Sequence, residues 1–264
     1  GPFFKWLEAV NELLLPFLMA KIIDEGVVKQ EAALVFRYGI MMISLTLIGY
    51  GFSLTCQYFA SKASQGVGTA LRKGLYEKIQ SLNQEQVQTM GSSTLLTRIT
   101  SDVNQIQQAI AMFIRLAVRA PFIVIGSTFM ALIIDAKVTL IFLAVMIVIG
   151  LVLFVVMKAS VPLYQKIQVK LDHLSLLISQ NISGIRVIRA FSKQDHEVET
   201  FATAARDVRD SFIRVGKISA LSNPLTYLVV NLGIVAVLWF GGVQVNNGAL
   251  SQGQIIALIS YLTQ

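Results

Sequence analysis

The chain has 264 residues, of which 55% are hydrophobic and 14% charged, and its formal net charge at pH 7 is +7. The mean hydropathy is +0.66. These values exclude an ordinary water-soluble globular domain, in which about a quarter of the residues are charged. The basic residues do not form a patch interleaved with aromatic residues, so the positive charge does not indicate nucleic-acid binding.

The first apolar segment, Leu13–Ile23, follows the polar residues Glu8, Asn11 and Glu12. It is too short for the hydrocarbon core of a bilayer, which needs about 20 residues of helix. We therefore expect a shortened first span in a chain that is a fragment. The leading Gly1-Pro2 would fit a protease-cleavage scar, although it would also fit a native sequence.

Four later segments are long and apolar enough to cross a bilayer: Gly39–Ala60, Ala109–Ile134, Val138–Met157 and Ile218–Val243. Since backbone polar groups in lipid must be paired within the segment, the sequence predicts four membrane-spanning helices. Ser251–Gln264 predicts the first turns of a further helix, clipped at Gln264. The fold class is therefore an all-α, polytopic helical membrane protein.

The connections between these spans differ greatly in length. Only Asp135, Ala136 and Lys137 separate the second and third of the four spans, whereas the next connection, Lys158–Lys217, has 60 residues. As two antiparallel helices, 60 residues would extend about 45 Å beyond the membrane. The pattern predicts long helical arms that act as levers.

Each arm is predicted to be a helical hairpin. In the second, apolar residues at steps of three and four make one helical face, and these are Ile167, Leu171, Leu174, Ile178, Ile182, Ile185 and Ile188. A second helix, Val198–Lys217, returns to the membrane. In the first arm, Ser61–Asn83 leaves the membrane and Thr94–Gln108 returns, with Ser93 as the predicted N-cap. The alternative is a pair of hairpins without a partner, but ordering them would require additional buried surface.

Charge predicts which side of the membrane the arms occupy. Of the 22 Lys and Arg residues, seven lie between Ser61 and Arg119 and ten between Lys158 and Lys217, whereas the opposite loops hold few. Positively charged loops stay on the cytoplasmic side. We therefore expect the arms to be cytoplasmic.

No catalytic or metal-binding pattern is recognised. Cys56 is the only cysteine, and His173 and His196 have no second ligand at a metal-binding spacing. The phosphate-binding motif G-x-x-x-x-G-K-[ST] does not occur. We therefore expect this chain, taken by itself, to hydrolyse no nucleotide.

Polar side chains within the spans are candidates for a substrate pathway. They are Tyr50, Ser53, Gln57, Ser61 and Ser64 along the helix of the first of the four spans, Arg115 and Arg119 in the second, and Asn223, Tyr227 and Asn231 in the fourth. The last three recur at intervals of four residues, just after a helix break expected at Pro224. Two alternatives remain open: polar stripes also bond helix to helix, and arginines also reach lipid headgroups.

Several motifs in order resemble those of one family. They are Ala20-Lys21-Ile22-Ile23-Asp24-Glu25-Gly26, Leu95-Leu96-Thr97-Arg98-Ile99-Thr100-Ser101-Asp102-Val103, Leu116-Ala117-Val118-Arg119-Ala120-Pro121, Gly184-Ile185-Arg186-Val187-Ile188-Arg189-Ala190-Phe191 and Trp239-Phe240-Gly241-Gly242. The chain resembles the transmembrane domain of ATP-binding cassette (ABC) exporters of the six-helix half-transporter type. The third motif is most similar to bacterial multidrug members that work as heterodimers.

The resemblance implies that the arm tips are coupling helices, which dock on nucleotide-binding domains absent from this chain. The implied residues are Gln88, Thr89, Met90, Gly91, Ser92, Ser93 and Thr94 in the first tip and Phe191, Ser192, Lys193, Gln194, Asp195, His196 and Glu197 in the second. Phe191 is the expected anchor, since buried aromatic residues dominate interface energies. The alternative is that Phe191 packs only between its own arms.

The resemblance also implies the function and the partners. We expect the membrane half of an ATP-driven exporter, in a bacterial inner membrane, with a second half-transporter. The expected substrate is hydrophobic or amphipathic, such as a drug or a lipid, and a peptide is the alternative. ATP and Mg²⁺ would bind to the nucleotide-binding domains, and no cofactor is expected in this chain. The alternative is a non-transporting helical scaffold or channel-like protein that anchors a cytosolic partner.

Overall fold

The computed structural model describes residues 2–264, with side chains from Phe3 onward. These residues form α-helices linked by short turns and π-helical segments, without any β-strand. The helices are α1 (Pro2–Lys21), α2 (Ala32–Gln80), α3 (Gln84–Met90), α4 (Ser92–Thr97), α5 (Val103–Met112), α6 (Arg119–Ile134), α7 (Ala136–Ser183), α8 (Ile185–Ala190), α9 (Gln194–Ala220), α10 (Ser222–Asn246) and α11 (Gln252–Thr263). The predicted all-α fold is confirmed.

Within residues 2–264, four helical stretches are long and apolar enough to cross a membrane: Ala32–Gln80, Ser92–Ile134, Ala136–Ser183 and Gln194–Asn246. The second of them joins α4, α5 and α6 through the π-helical segments Arg98–Asp102 and Phe113–Ala117. Each contains one of the four predicted spans, which confirms those predictions. Helix α1 is longer than the apolar segment Leu13–Ile23 suggests, because it begins before that segment and contains several charged residues.

Side-chain caps explain where two of the helices begin. The Asp135 carboxylate accepts a hydrogen bond from the Val138 backbone N–H at 2.8 Å, which starts α7 after a turn of one residue. At α11, Ser251 and Gln254 exchange side-chain-to-backbone hydrogen bonds in a capping box. Such bonds satisfy backbone donors that have no partner within the helix. The predicted helix after Ser251 is confirmed.

Three local predictions were wrong. Ser93 does not cap the returning helix of the first arm, because Gly91 occupies that position with φ of 78° and α4 begins directly after it. The break expected at Pro224 lies at Leu221, so that Pro224 falls in the first turn of α10, where a missing N–H costs little. The helical face predicted to reach Ile188 is interrupted at Gly184.

Contacts divide the chain into two compact units, of which the first contains residues 2–140 and Ala236–Gln264. In this unit α1 packs against α2, α6 and α11. The Tyr261 hydroxyl donates to the Leu13 carbonyl at 2.8 Å, and a Cβ on Gly126 would lie 2.2 Å from Leu13 Cδ1. The carboxylate of Asp24 accepts hydrogen bonds from Ser251 Oγ and from the Gly253 N–H. These contacts hold α1 and the π-helical segment after it, Ile22–Val27, against α6 and α11.

The second unit is Ile141–Val235 and contains the second arm. Its buried residues include Ile167, Val208 and Val215. Lys170 Nζ of α7 donates to Ser211 Oγ of α9 at 3.0 Å, so a polar contact also links the two helices of this arm. A cavity of about 650 Å³ nearer the tip is lined by residues of both helices, among them His173 and His196.

Candidate functional site

The tip of the first arm, residues 83–94, is a short helix with a well-defined start. Asn83 Oδ1 accepts from the Gln86 N–H at 2.8 Å, and Gln86 Oε1 accepts from the Asn83 N–H at 3.1 Å. Of the predicted coupling residues, Gln88, Thr89 and Met90 end α3, and Ser92, Ser93 and Thr94 begin α4. Their side chains are exposed. The tip therefore presents a compact and mostly polar surface.

The tip of the second arm, residues 191–197, presents an exposed aromatic ring. Phe191 is 72% exposed at the end of α8, so within the described chain it does not pack between its own arms. Ser192 has φ of 47°, and the Lys193 N–H donates to the Ile188 carbonyl at 3.0 Å, which closes the turn. The remaining predicted residues, Gln194, Asp195, His196 and Glu197, form the first turn of α9.

A buried polar cluster joins the two helices of the first arm. Gln107 of α5 is 6% exposed, and its Nε2 donates to Gln65 Oε1 of α2 at 2.8 Å. Arg72 Nη2 donates to Gln107 Oε1 at 2.8 Å and to Asn104 Oδ1 at 2.7 Å. A Cβ on Gly68 would lie 2.2 Å from Gln107 Cδ, so only glycine permits this close approach. The cluster fixes the register of the arm that carries the first tip.

A polar cleft lies between α1, α2 and α6 in the first unit. Arg119 Nη2 donates to both carboxylate oxygens of Glu12 at 2.6 Å. The pair lines a cavity of about 250 Å³, and the other polar side chains around it are Glu8, Asn11, Thr46, Tyr50 and Ser53. Lys5 Nζ pairs with Glu8 at 2.8 Å within α1. Because an unpaired charge in lipid is costly, these pairings explain how charged residues are tolerated here.

The structure brings only part of the predicted pathway set together. Tyr50, Ser53 and Arg119 line the polar cleft, whereas Gln57 is exposed. Arg115 donates to Ser61 Oγ at 2.9 Å, and Ser64 Oγ donates to the Ser61 carbonyl at 3.0 Å within its own helix.

Asn223, Tyr227 and Asn231 belong to the second unit and have exposed side chains. Asn231 Nδ2 donates to the Tyr227 carbonyl at 2.8 Å, within its own helix. That these three residues line an aqueous cavity stays a prediction.

Glu8, Asn11 and Glu12 were not among the predicted pathway residues. A signal for them was present, because their spacing of three and four places them on one face of a helix. Arg119 in a distant apolar segment needs a partner of opposite charge. Combining those two facts would have indicated the pair.

The family comparison decides what these arms and this cleft belong to. A family model described as "ABC transporter transmembrane region" matches residues 1–264. The chain belongs to this family. It is an integral membrane protein, and the predicted resemblance is confirmed.

Individual relatives agree with the family. The ABC transmembrane region is 31% identical over 257 residues to the ABC transporter ATP-binding protein YfiB of Bacillus subtilis, covering 97% of this chain and 45% of the relative. It is 27% identical over 251 residues to the ATP-dependent lipid A-core flippase of Syntrophus aciditrophicus, covering 94% and 41%. An export ATP-binding/permease protein of Rickettsia bellii is 26% identical over 252 residues, covering 94% and 43%. The chain spans less than half the length of each of these relatives.

Proposed function

We propose that this ABC transmembrane region forms the substrate pathway of an ATP-driven exporter and transmits movement between that pathway and ATP-binding domains. The length of the arms carries the proposal. Helices α2 and α7 have 49 and 48 residues. At 1.5 Å per residue each is more than 70 Å long, whereas the hydrocarbon core is about 30 Å thick. Helices of this length carry a displacement well outside the membrane into it.

The arm tips are the proposed docking surfaces for the ATP-binding domains. Both are closed by local hydrogen bonds, and the second presents the exposed ring of Phe191. A rigid tip with one large apolar side chain suits insertion into a pocket of a partner protein. ATP and Mg²⁺ would be held by those domains, since the phosphate-binding motif G-x-x-x-x-G-K-[ST] does not occur in this sequence.

The proposed assembly contains a second half-transporter, and the Leu116-to-Pro121 motif favours a heterodimer. The proposed location is a bacterial inner membrane with the arms in the cytoplasm, because most of the Lys and Arg residues lie in the arms. The proposed cargo is hydrophobic or amphipathic. The name of the relative from Syntrophus aciditrophicus, a lipid A-core flippase, supports that substrate class.

The test is Phe191→Ala in the complete transporter. Losing a buried aromatic anchor costs about 2 kcal/mol or more at an interface, which is about a 30-fold weaker contact. We expect ATP binding to be unchanged, while stimulation of ATP hydrolysis by transported compounds and transport itself both fall strongly. Hydrolysis with and without substrate, measured in proteoliposomes, gives the result.

Phe212→Ala is the matched control for this test. Phe212 is an exposed phenylalanine on α9, away from the tip, so its loss removes the same ring from the same arm. We expect near-normal coupling in this variant. Equal effects of the two substitutions, or unchanged stimulation in Phe191→Ala, would refute the assignment of the tip.

A further inference from the structure

The polar cleft between α1, α2 and α6 is too small for a whole drug-like molecule. Its volume is about 250 Å³, below the range of roughly 300–1,000 Å³ typical of such ligand sites. A small polar group would fit it, with the rest of the ligand outside. The cleft is also reachable, because the side chains of Arg119 and Glu12 are 40% and 31% exposed.

The charges of the cleft restrict what can enter. Glu8 is neutralised by Lys5 on its own helix, so the charges available to a ligand are those of Glu12 and Arg119. A simple cation on Glu12 would leave Arg119 unpaired, and a simple anion on Arg119 would leave Glu12 unpaired. Leaving one charge of the pair without a partner at membrane depth is unfavourable.

A group that carries both charges avoids this cost. Its ammonium would pair with Glu12 and its phosphate with Arg119, so that every charge keeps a partner while the pair separates. The guanidinium also suits the several oxygens of a phosphate. The side chains of Asn11, Tyr50 and Ser53 around the pair supply further hydrogen-bonding groups.

The surroundings indicate that the charged group is attached to hydrocarbon. Arg119 lies 15 residues before Ile134, so it is about 22 Å from that end of α6, inside a layer about 30 Å thick. A charged group that enters at this depth therefore comes attached to hydrocarbon, as a lipid headgroup does.

We infer that the polar cleft binds the zwitterionic headgroup of a phospholipid, its ammonium on Glu12 and its phosphate on Arg119, with the acyl chains outside the cleft. This inference rests on the proposed function, because it names the substrate class of that pathway. It narrows the cargo to amphiphiles that carry an amine and a phosphate together.

The test measures lipid binding to the complete transporter in detergent, without ATP, by native mass spectrometry. The probes are phosphatidylethanolamine, phosphatidylglycerol and a trimethylammonium lipid, all with the same acyl chains, and soluble phosphoethanolamine as competitor. We expect phosphatidylethanolamine to bind at least ~10-fold more tightly than the other two lipids, a difference of one decade in Kd. Phosphoethanolamine should compete weakly, because it lacks the acyl chains.

Two variants test the cleft, one by removing its charges and the other by filling its volume. Glu12→Gln/Arg119→Gln removes both charges without leaving either one unpaired. Gly49→Leu fills the cleft and keeps the pair, since a Cβ on Gly49 would lie 3.8 Å from Asn11 Cβ, which is an ordinary contact. Each should weaken binding of phosphatidylethanolamine at least ~10-fold and leave phosphatidylglycerol binding unchanged.

Each variant has a matched control. Gly51→Leu adds the same side chain two residues later, where a Cβ would have nothing within 4 Å. Glu199→Gln/Arg206→Gln removes an exposed ion pair from α9 in the second arm. Both controls should bind all three lipids like the wild type.

Several results would overturn the inference. They are equal binding of phosphatidylethanolamine and either charged lipid, full competition by phosphoethanolamine, and unchanged phosphatidylethanolamine binding in Gly49→Leu. If the double variant fails to fold, as a lowered Tm would show, Gly49→Leu alone decides. Lipid binding is measured without ATP, so it is independent of the coupling test. If phosphatidylethanolamine shows no preference while Phe191→Ala weakens coupling as expected, only the lipid inference is refuted. An absent Phe191→Ala effect refutes only the coupling proposal.

Discussion

At the scale of single residues, Gln107 of the first arm is a buried polar side chain whose hydrogen bonds cross between two helices. Its side-chain amide uses both ends, donating to Gln65 and accepting from Arg72. Gly68 makes room for it on the facing helix. A buried amide with both ends bonded specifies one register of α5 against α2, because any shift would leave these groups unpaired.

Replacing Gln107 therefore tests the cluster. Gln107→Ala leaves Gln65 and Arg72 without this partner and opens a void, so we expect a loss of about 1–3 kcal/mol in the free energy of unfolding. Thermal unfolding of the complete transporter in detergent measures this as a lowered Tm. The exposed neighbour Gln108 is the matched control, and Gln108→Ala should stay close to the wild type. Equal Tm values for the two variants would contradict this role of the cluster.

At the scale of helices, the sequence predicts which segments span the membrane but not which helices pack against each other. The four spans follow from composition, because an apolar segment in lipid has to be helical. The Glu12–Arg119 pair joins residues 107 positions apart, and no local pattern specifies which helices become neighbours. The break at Leu221 was misplaced for another reason: proline is well tolerated in the first turn of a helix, so Pro224 marks the start of α10 and not the break itself.

Helix α10 has three exposed polar residues in a mostly apolar membrane-spanning segment. Polar groups facing lipid without partners cost free energy, so Asn223, Tyr227 and Asn231 should face water in the assembled transporter. Cysteine substituted at each position, in a Cys56→Ala background, should react with a water-soluble thiol reagent. The reaction rates should change when ATP is trapped, because alternating access changes which end of the pathway is wet.

The neighbours Leu228 and Val229 supply the comparison on the same helix. Cysteines at these two positions should stay unreactive in every state. If all five positions are unreactive, the three polar residues bond helix to helix and are not substrate contacts.

At the scale of the whole molecule, the distribution of charge predicts one orientation in the membrane. Most Lys and Arg residues lie in the two arms, and few lie in the loops at the opposite ends of the spans. Since positively charged segments are retained in the cytoplasm, both arm tips should be inside the cell.

Labelling in intact bacteria tests this orientation. In a Cys56→Ala background, Asn247→Cys in the loop after α10 should react with a membrane-impermeant maleimide, whereas Ser192→Cys in the second tip should not. Both positions are exposed, so burial does not explain a difference between them. Permeabilised cells provide the control, in which both should react. If only Ser192→Cys reacts in intact cells, the predicted orientation is wrong and the arms are outside the cell.

The hydrogen bond from Tyr261 to Leu13 has a consequence for biosynthesis, because it joins residues 248 positions apart. At about 5–20 residues per second, a ribosome needs some 12–50 s to make the intervening chain. During that interval α1 has no α11 to pack against, and Lys5 can neutralise Glu8 at once because both are on α1. Glu12 has no such neighbour and must await Arg119. The newly made first helix therefore carries one uncompensated carboxylate, which gives it a reason to remain near the translocon or a chaperone until α6 arrives.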